Sequence, residues 1–185
     1  MDGAFYNDLR EPFFVSDLSA VTLAATAKAL YTASSFPVLG GQYFARPGKA
    51  QRIRLFGKMT TGATPGNLTL SVWFGTGADA NGVVLASSTA TALVANGTNL
   101  SWELDVYVRC VTTGSTGTLY CTGSSRFNVG LVLSTVAPIL IPGSAAAASA
   151  ACDLTSALIL SVQALRSGST AETMTVQDMQ VIALN

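Results

Sequence analysis

The chain of 185 residues contains no histidine. That absence removes a histidine-dependent nucleophilic triad. With only three cysteines and no CxxC pair, it also removes a zinc site of ordinary type. Charge is scarce as well: 11% of the residues are charged, against about 25% in a typical soluble domain. Ten basic residues balance ten acidic ones, so the basic footprint that nucleic-acid binding needs is missing. No apolar run is long enough for a membrane span. The most apolar stretch, residues 129–141, is broken by Pro138 and followed by Pro142. Met1-Asp2-Gly3 opens the sequence without a basic or apolar leader, so no signal peptide is expected, and the protein is expected in a reducing cytoplasm. There is no phosphate-binding loop and no G-x-G-x-x-G after a strand. No cofactor, no metal and no catalytic residue is expected.

What is present is apolar and alternating. Hydrophobic residues make up 49% of the chain and the mean hydropathy is +0.44. A chain of this length buries roughly 70% of its unfolded surface without a metal or disulfide. A neutral, charge-poor surface associates readily, so part of it is expected to be covered by other subunits. The alanine content accounts for some of the apolar excess.

The clearest pattern lies between Leu100 and Gly123. Trp102, Leu104, Val106, Val108 and Cys110 alternate with Ser101, Glu103, Asp105, Tyr107 and Arg109. This is the period of a strand with one face on a core. Thr112 to Gly117 is a run of turn formers, and a return strand is expected from Thr118 to Thr122. Centring the loop between Ser115 and Thr116 places Cys110 opposite Cys121. That leaves a disulfide open beside the alternative of two small buried thiols.

Residues 1–16 do not alternate. They mix Gly, Asn, Asp and Pro with Phe5, Tyr6, Phe13 and Phe14, and are expected to form an arm that docks on its own domain or on a neighbour. The domain proper is expected over 17–185. Its strands are expected at Leu18 to Tyr31 (where alanine keeps a helix open), Gln51 to Thr60, Asn67 to Gly75, Val83 to Thr91, Phe127 to Val136, Thr155 to Leu165 and Thr173 to Leu184. In the last strand the apolar parity changes, which predicts a bulge near Asp178. Pro138 to Ala151 is expected to be a loop. Roughly eight strands with Gly/Ser/Thr/Pro turns predict an all-β, jelly-roll β-sandwich.

Several motifs carry a family resemblance. They are Arg52-Ile53-Arg54-Leu55-Phe56-Gly57-Lys58-Met59-Thr60-Thr61, Asn67 to Thr76 (NLTLSVWFGT), Gly82-Val83-Val84-Leu85-Ala86, Trp102-Glu103-Leu104, Val108-Arg109 and Gly114-Ser115-Thr116-Gly117-Thr118. In this order, over about residues 40–185, they resemble tailed-bacteriophage structural proteins with a jelly-roll domain. The sequence departs from that pattern at Cys110 and Val111 and in its Ala-rich tract at 144–151. The resemblance implies a virion component, a capsid decoration protein that sits as a homotrimer on the major capsid protein at the head surface. Host cytoplasm would be its place during assembly. The alternative it implies is a tail-tip, baseplate or fibre protein that binds host glycans. Neither implies an enzyme.

Chemistry-bearing clusters are few. Glu103 and Asp105 stand two apart on one strand face, a spacing that suits either a glycosidase acid–base pair or a solvated surface. Cys110 lacks the base that would activate it. Asp79, Asn81 and Gly82 form an incomplete calcium-loop series, which a plain turn also explains. The outward aromatic and arginine residues say more: Phe56, Trp73, Tyr107 and Tyr120, with Arg52, Arg54 and Arg109 near them. These side-chain types are enriched in interfaces. Their readings are a subunit interface, a surface covered by the chain's own N-terminal arm or loops, or a sugar-binding platform. The expected interface is therefore Phe5, Tyr6, Phe13, Phe14, Phe56, Trp73, Tyr107, Arg109 and Tyr120.

Overall fold

Alternation over long, β-branched runs gives long strands, and here it gives two sheets. The computed structural model describes residues 13–16, 19–39, 41, 43–128, 130, 138–168 and 171–184, with only the backbone of 13–15. Among these residues twelve strands run in chain order: β1 (Phe13–Val15), β2 (Ala20–Thr22), β3 (Lys28–Ala29), β4 (Ala50–Thr60), β5 (Asn67–Gly75), β6 (Val83–Ser87), β7 (Thr91–Ala92), β8 (Leu100–Thr112), β9 (Thr118–Phe127), β10 (Ile139–Ile141), β11 (Ile159–Arg166) and β12 (Thr173–Leu184). The larger sheet has the order β1-β12-β4-β8-β9-β10, with β2 also on β12. The smaller sheet has the order β3-β11-β5-β6, with β7 also on β5. Every pairing is antiparallel. Among the described residues the only helical turn is a 3-10 turn at Ala33–Ser35. The chain is an all-β sandwich.

One apolar core joins the two sheets. The larger contributes Ile53, Leu55, Met59, Leu104, Val106, Val108, Leu119, Met174, Val176 and Val181; the smaller contributes Leu68, Leu70, Val72, Phe74, Leu160 and Val162. β4 shows the cause plainly: its odd positions are buried and its even ones half-buried along the whole strand. The bulge expected near Asp178 is present, as a register shift between Val176 and Asp178. It lies opposite the gap between β1 and β2, where the Ser16 hydroxyl donates to the Gln177 carbonyl at 2.9 Å.

Several expectations are corrected. The stretch from Leu18 to Tyr31 is not one strand or a helix. It crosses from the larger sheet (β2) to the smaller (β3), and its crossing backbone is held by Leu23 N–H on Glu172 O and by Arg166 N–H on Ala24 O. Beyond β3, Tyr31 continues the pairing with its side chain. Its hydroxyl donates to Leu160 O at 2.9 Å and accepts from Val162 N–H at 3.0 Å. The strand at 83–91 ends at Ser87, and the return strand from Thr118 runs on to Phe127. The loop expected from Pro138 to Ala151 contains β10, an edge strand on β9. Most of the strand expected from Phe127 to Val136 lies outside the described residues.

The β8–β9 hairpin keeps its parity but not its register. Cys110 pairs with Leu119, and Val108 pairs with Cys121. A bulge at Val111 takes up one residue, and the turn closes tightly from Gly114 to Gly117, with Gly114 at φ 94°. The shift is even, so both cysteines still face the core. All three cysteines are free thiols.

The two faces of β8 predict opposite mutational costs. Leu104, 1% exposed on the inner face, should cost about 2–5 kcal/mol on Leu104→Ala. Tyr107→Ala, three residues along β8 on the outer face, should cost less than about 1 kcal/mol. Denaturant unfolding of the two variants checks this, and equal costs would contradict the assigned faces.

Candidate functional site

The register that buries the core also fixes what stands on the outside of the larger sheet. Three cross-strand rows cover that face: Ile182–Arg52–Tyr107–Thr122, Gln180–Arg54–Asp105–Ser124–Leu140 and Asp178–Phe56–Glu103–Arg126. Arg109 stands opposite Tyr120 beyond the first row.

Asp105 organises the centre. Arg52 Nε donates to its Oδ1 at 2.8 Å and a terminal nitrogen of Arg52 donates to Oδ2, which makes a bidentate pair. Arg54 Nε approaches Oδ2 at 3.4 Å from the neighbouring row. The hydrogen bond to Asp105 raises the Arg52 pKa above its already high ordinary value. Each guanidinium also lies over a ring: Arg52 over Tyr107 at 5.1 Å, Arg54 over Phe56 at 5.0 Å and Arg109 over Tyr120 at 5.7 Å. Glu103 pairs with Arg126 at 3.3 Å.

Two concavities open on this face. One, of about 410 Å³, is lined by Phe56, Gly57, Trp102, Glu103, Arg126 and Phe127 among others. The other, of about 160 Å³, lies among Arg54, Phe56, Glu103, Asp105 and Arg126. Gly57 is required beside the first. A Cβ there would stand 2.0 Å from Thr175 O and 2.9 Å from Trp102 Nε1. Among the described residues the exposed large apolar side chains are Val38, Val84, Tyr107, Val111 and Leu140. Tyr107 and Leu140 are on this face and Val111 is in the bulge at its end.

The expected interface residues are therefore partly brought together. Phe56, Tyr107, Arg109 and Tyr120 share the face. Trp73 does not: it belongs to β5 in the smaller sheet. Its indole N–H donates to Ser71 Oγ at 2.6 Å. Beside it the buried Gln163 amide binds Ala78 O, Ser161 Oγ and Ala80 N–H. The chain's own loop after β5 thus covers that outer face around Gln163, while Val84, paired with Trp73, stays exposed. A strand pattern shows that Trp73 points outward but not which sheet it joins, hence the correction. Phe13 and Phe14 lie in β1 on β12, and Phe5 and Tyr6 lie outside the described residues.

The other candidates resolve into structural roles. Glu103 and Asp105 are bound to arginines rather than poised as an acid–base pair. Asp79 is taken by Lys28 Nζ at 2.7 Å and Ala29 N–H at 2.8 Å, and so ties its loop to β3. Thr76 and Asn81 bond each other across the same loop at 2.8 Å. Among the described residues no group of acidic or cysteine side chains forms a metal cluster. Burial raises the pKa of all three thiols, that of Cys121 to about 12, so they are protonated at neutral pH. Sequence reading missed Arg166 and Glu172, whose buried pair at 3.1 Å stands where Arg166 also donates to Leu23 O at 2.8 Å. A lone charge at each end of two strands carries no periodic signal.

No protein-family model matches this sequence, and no curated protein matches it.

Two measurements follow from these side chains. The Lys28 hydrogen bond lowers the Asp79 pKa below its ordinary value. Its contribution is therefore present at neutral pH and is lost as pH falls through the carboxylate range, below about 4. Asp79→Asn should cost about 0.5–1 kcal/mol at neutral pH. The wild type should then lose more stability than the variant between about pH 4 and 2. The three thiols should resist a thiol reagent in the native protein and all react after unfolding; rapid native labelling would contradict their burial.

Proposed function

We propose that this chain is a structural subunit of a tailed-bacteriophage virion, a capsid decoration protein of jelly-roll type that works without chemistry. In this reading it assembles as a homotrimer, binds the major capsid protein at the head surface and stabilises the head. The observation that carries it is the outer face of the larger sheet. Three arginine–aromatic pairs and the exposed Tyr107 and Leu140 share that face with ion-paired carboxylates. Aromatic and arginine side chains are the commonest energetic anchors of protein interfaces. The family resemblance of the strand motifs supplies the virion context. Each trimer would touch several capsid subunits, so modest contacts combine through effective concentration.

The aromatic-flanked concavity beside Phe56 and Phe127 favours one second reading, a tail or fibre component that holds a host glycan there. The two separate by experiment. The first expects the full chain to have a solution mass of three times 19.0 kDa. Tyr107→Glu with Leu140→Glu should return it to one copy with its fold intact by circular dichroism. The wild type should co-sediment with undecorated capsids and the double variant should not. A wild type that stays monomeric and ignores capsids, yet binds glycans in a manner lost on Phe127→Ala, would overturn the first reading in favour of the second.

A further inference from the structure

The smaller concavity on the outer face of the larger sheet lies between two consecutive cross-strand rows, Arg54–Asp105–Ser124 and Phe56–Glu103–Arg126. Its volume of about 160 Å³ is below the roughly 300 Å³ at which pockets for whole small molecules begin, so it suits one side-chain-sized group. Its donors are incompletely used. Asp105 gives both of its oxygens to Arg52. Arg54 comes second to that carboxylate: its Nε stands 3.4 Å from Oδ2, and this buried nitrogen has no hydrogen-bond partner. Among the described residues the terminal nitrogens of Arg54 and the Ser124 hydroxyl make no hydrogen bond either. Arg126 holds Glu103 by one long contact of 3.3 Å.

The charges do not cancel. The guanidinium groups of Arg52, Arg54 and Arg126 face only the carboxylates of Glu103 and Asp105, which leaves one positive charge over. Arg54 is also ordered in advance, over the Phe56 ring at 5.0 Å. An ordered planar fork with unused N–H groups matches a carboxylate, which accepts two parallel hydrogen bonds. A neutral apolar group there would leave those donors buried and unpaired. The larger concavity shares Phe56, Glu103 and Arg126 with the smaller one and adds Phe127, so an apolar side chain next to that carboxylate has a place as well. A second copy of the chain offers the carboxylate poorly. Among the described residues Asp79 is on Lys28, Asp153 accepts from Thr155 and Ser156, and Glu172 is buried on Arg166. Asp178 remains, and it belongs to the Phe56 row of the same face. Two copies would have to meet face to face to use it, an isologous contact that closes as a dimer and not as a ring of three.

We propose that the concavity between Arg54 and Arg126 is a carboxylate-binding pocket that takes a glutamate or aspartate side chain of a different protein, with an apolar neighbour of that residue in the adjoining concavity. This rests on reading the outer face as an assembly interface and names what the partner presents to it. The incoming carboxylate accepts from Arg54, Arg126 and the Ser124 hydroxyl and balances the surplus charge. Because the Phe56 ring already holds Arg54, little rotamer freedom is lost when the partner arrives.

The test uses the full chain with isotopically labelled arginine and follows the Nε–H resonances by NMR at constant ionic strength. The probe is glutamate with its amino group acetylated and its α-carboxyl amidated, so that only the side-chain carboxylate is charged. Arg54 and Arg126 should shift saturably, the glutamine counterpart of the probe should move neither, and Ser124→Ala should weaken the response several-fold. An equal response to both probes, or a response at Arg109 alone, would overturn the proposal. Tighter binding of N-acetylneuraminic acid than of the glutamate probe would give the pocket to an acidic glycan and overturn it too. Arg54→Gln with Arg126→Gln should weaken co-sedimentation with undecorated capsids roughly tenfold or more, with circular dichroism and solution mass unchanged. Arg54→Lys keeps the charge without the fork and should weaken it in the same direction. If Asp178→Asn dissociates the oligomer, a second copy is the occupant and the proposal fails. If the glutamate probe binds as expected and the double variant still binds capsids as the wild type does, the pocket stands and the capsid reading of this face fails.

Discussion

The pairing of β4 with β8 is the constraint on which the rest depends. Ile53 stands opposite Val106 and Leu55 opposite Leu104, all buried. Because side chains alternate with period two, that pairing also fixes Arg52 against Tyr107 and Arg54 against Asp105 on the other side. A slip by one residue would place arginines in the core and aliphatic side chains in water. The outer face thus needs no separate device to position it. Opposite charges directly across the strands, as at Arg54 and Asp105, add to the same register.

The strands with continuous alternation were legible from the chain itself. β5 and β12 have the expected limits, β4 differs by one residue, and even the bulge near Asp178 shows as a change of parity. Each of these signals is local: a residue and its neighbour two positions on report the same face. What was not legible depends on partners distant in sequence. The segment after β2 is alanine-rich and looks extended, but its path is fixed by Glu172 O and by β11, which lie far along the chain. Similarly, the hairpin register turned on where one bulge fell. Trp73 and Tyr107 carry the same outward signature, and only strand order separates them.

The edges explain why the N-terminal residues belong to the sheet. β12 is long, and a bare edge of that length would be a template for unwanted pairing. β1 and β2 cover it as two short strands, and the bulge at Gln177 falls in the gap between them. Ser16 closes that gap with a side-chain hydrogen bond. At the opposite edge β10 is only three residues long and is followed by Pro142, which limits further strand addition there.

The two outer faces of the sandwich have been treated differently by the same chain. On the smaller sheet the buried Gln163 amide is satisfied by Ala78 and Ala80 of the loop after β5 and donates in turn to Ser161 Oγ, so the loop covers that part of the surface. On the larger sheet the long side chains are ordered by one another instead. Arg52 is fixed by Asp105 on one side and by the Tyr107 ring on the other. An arginine already held in one geometry loses less rotamer freedom when a partner arrives, so more of the contact energy remains as affinity. Glu103 and Asp105 do the same work on this face: each holds a guanidinium group in place from the opposite strand.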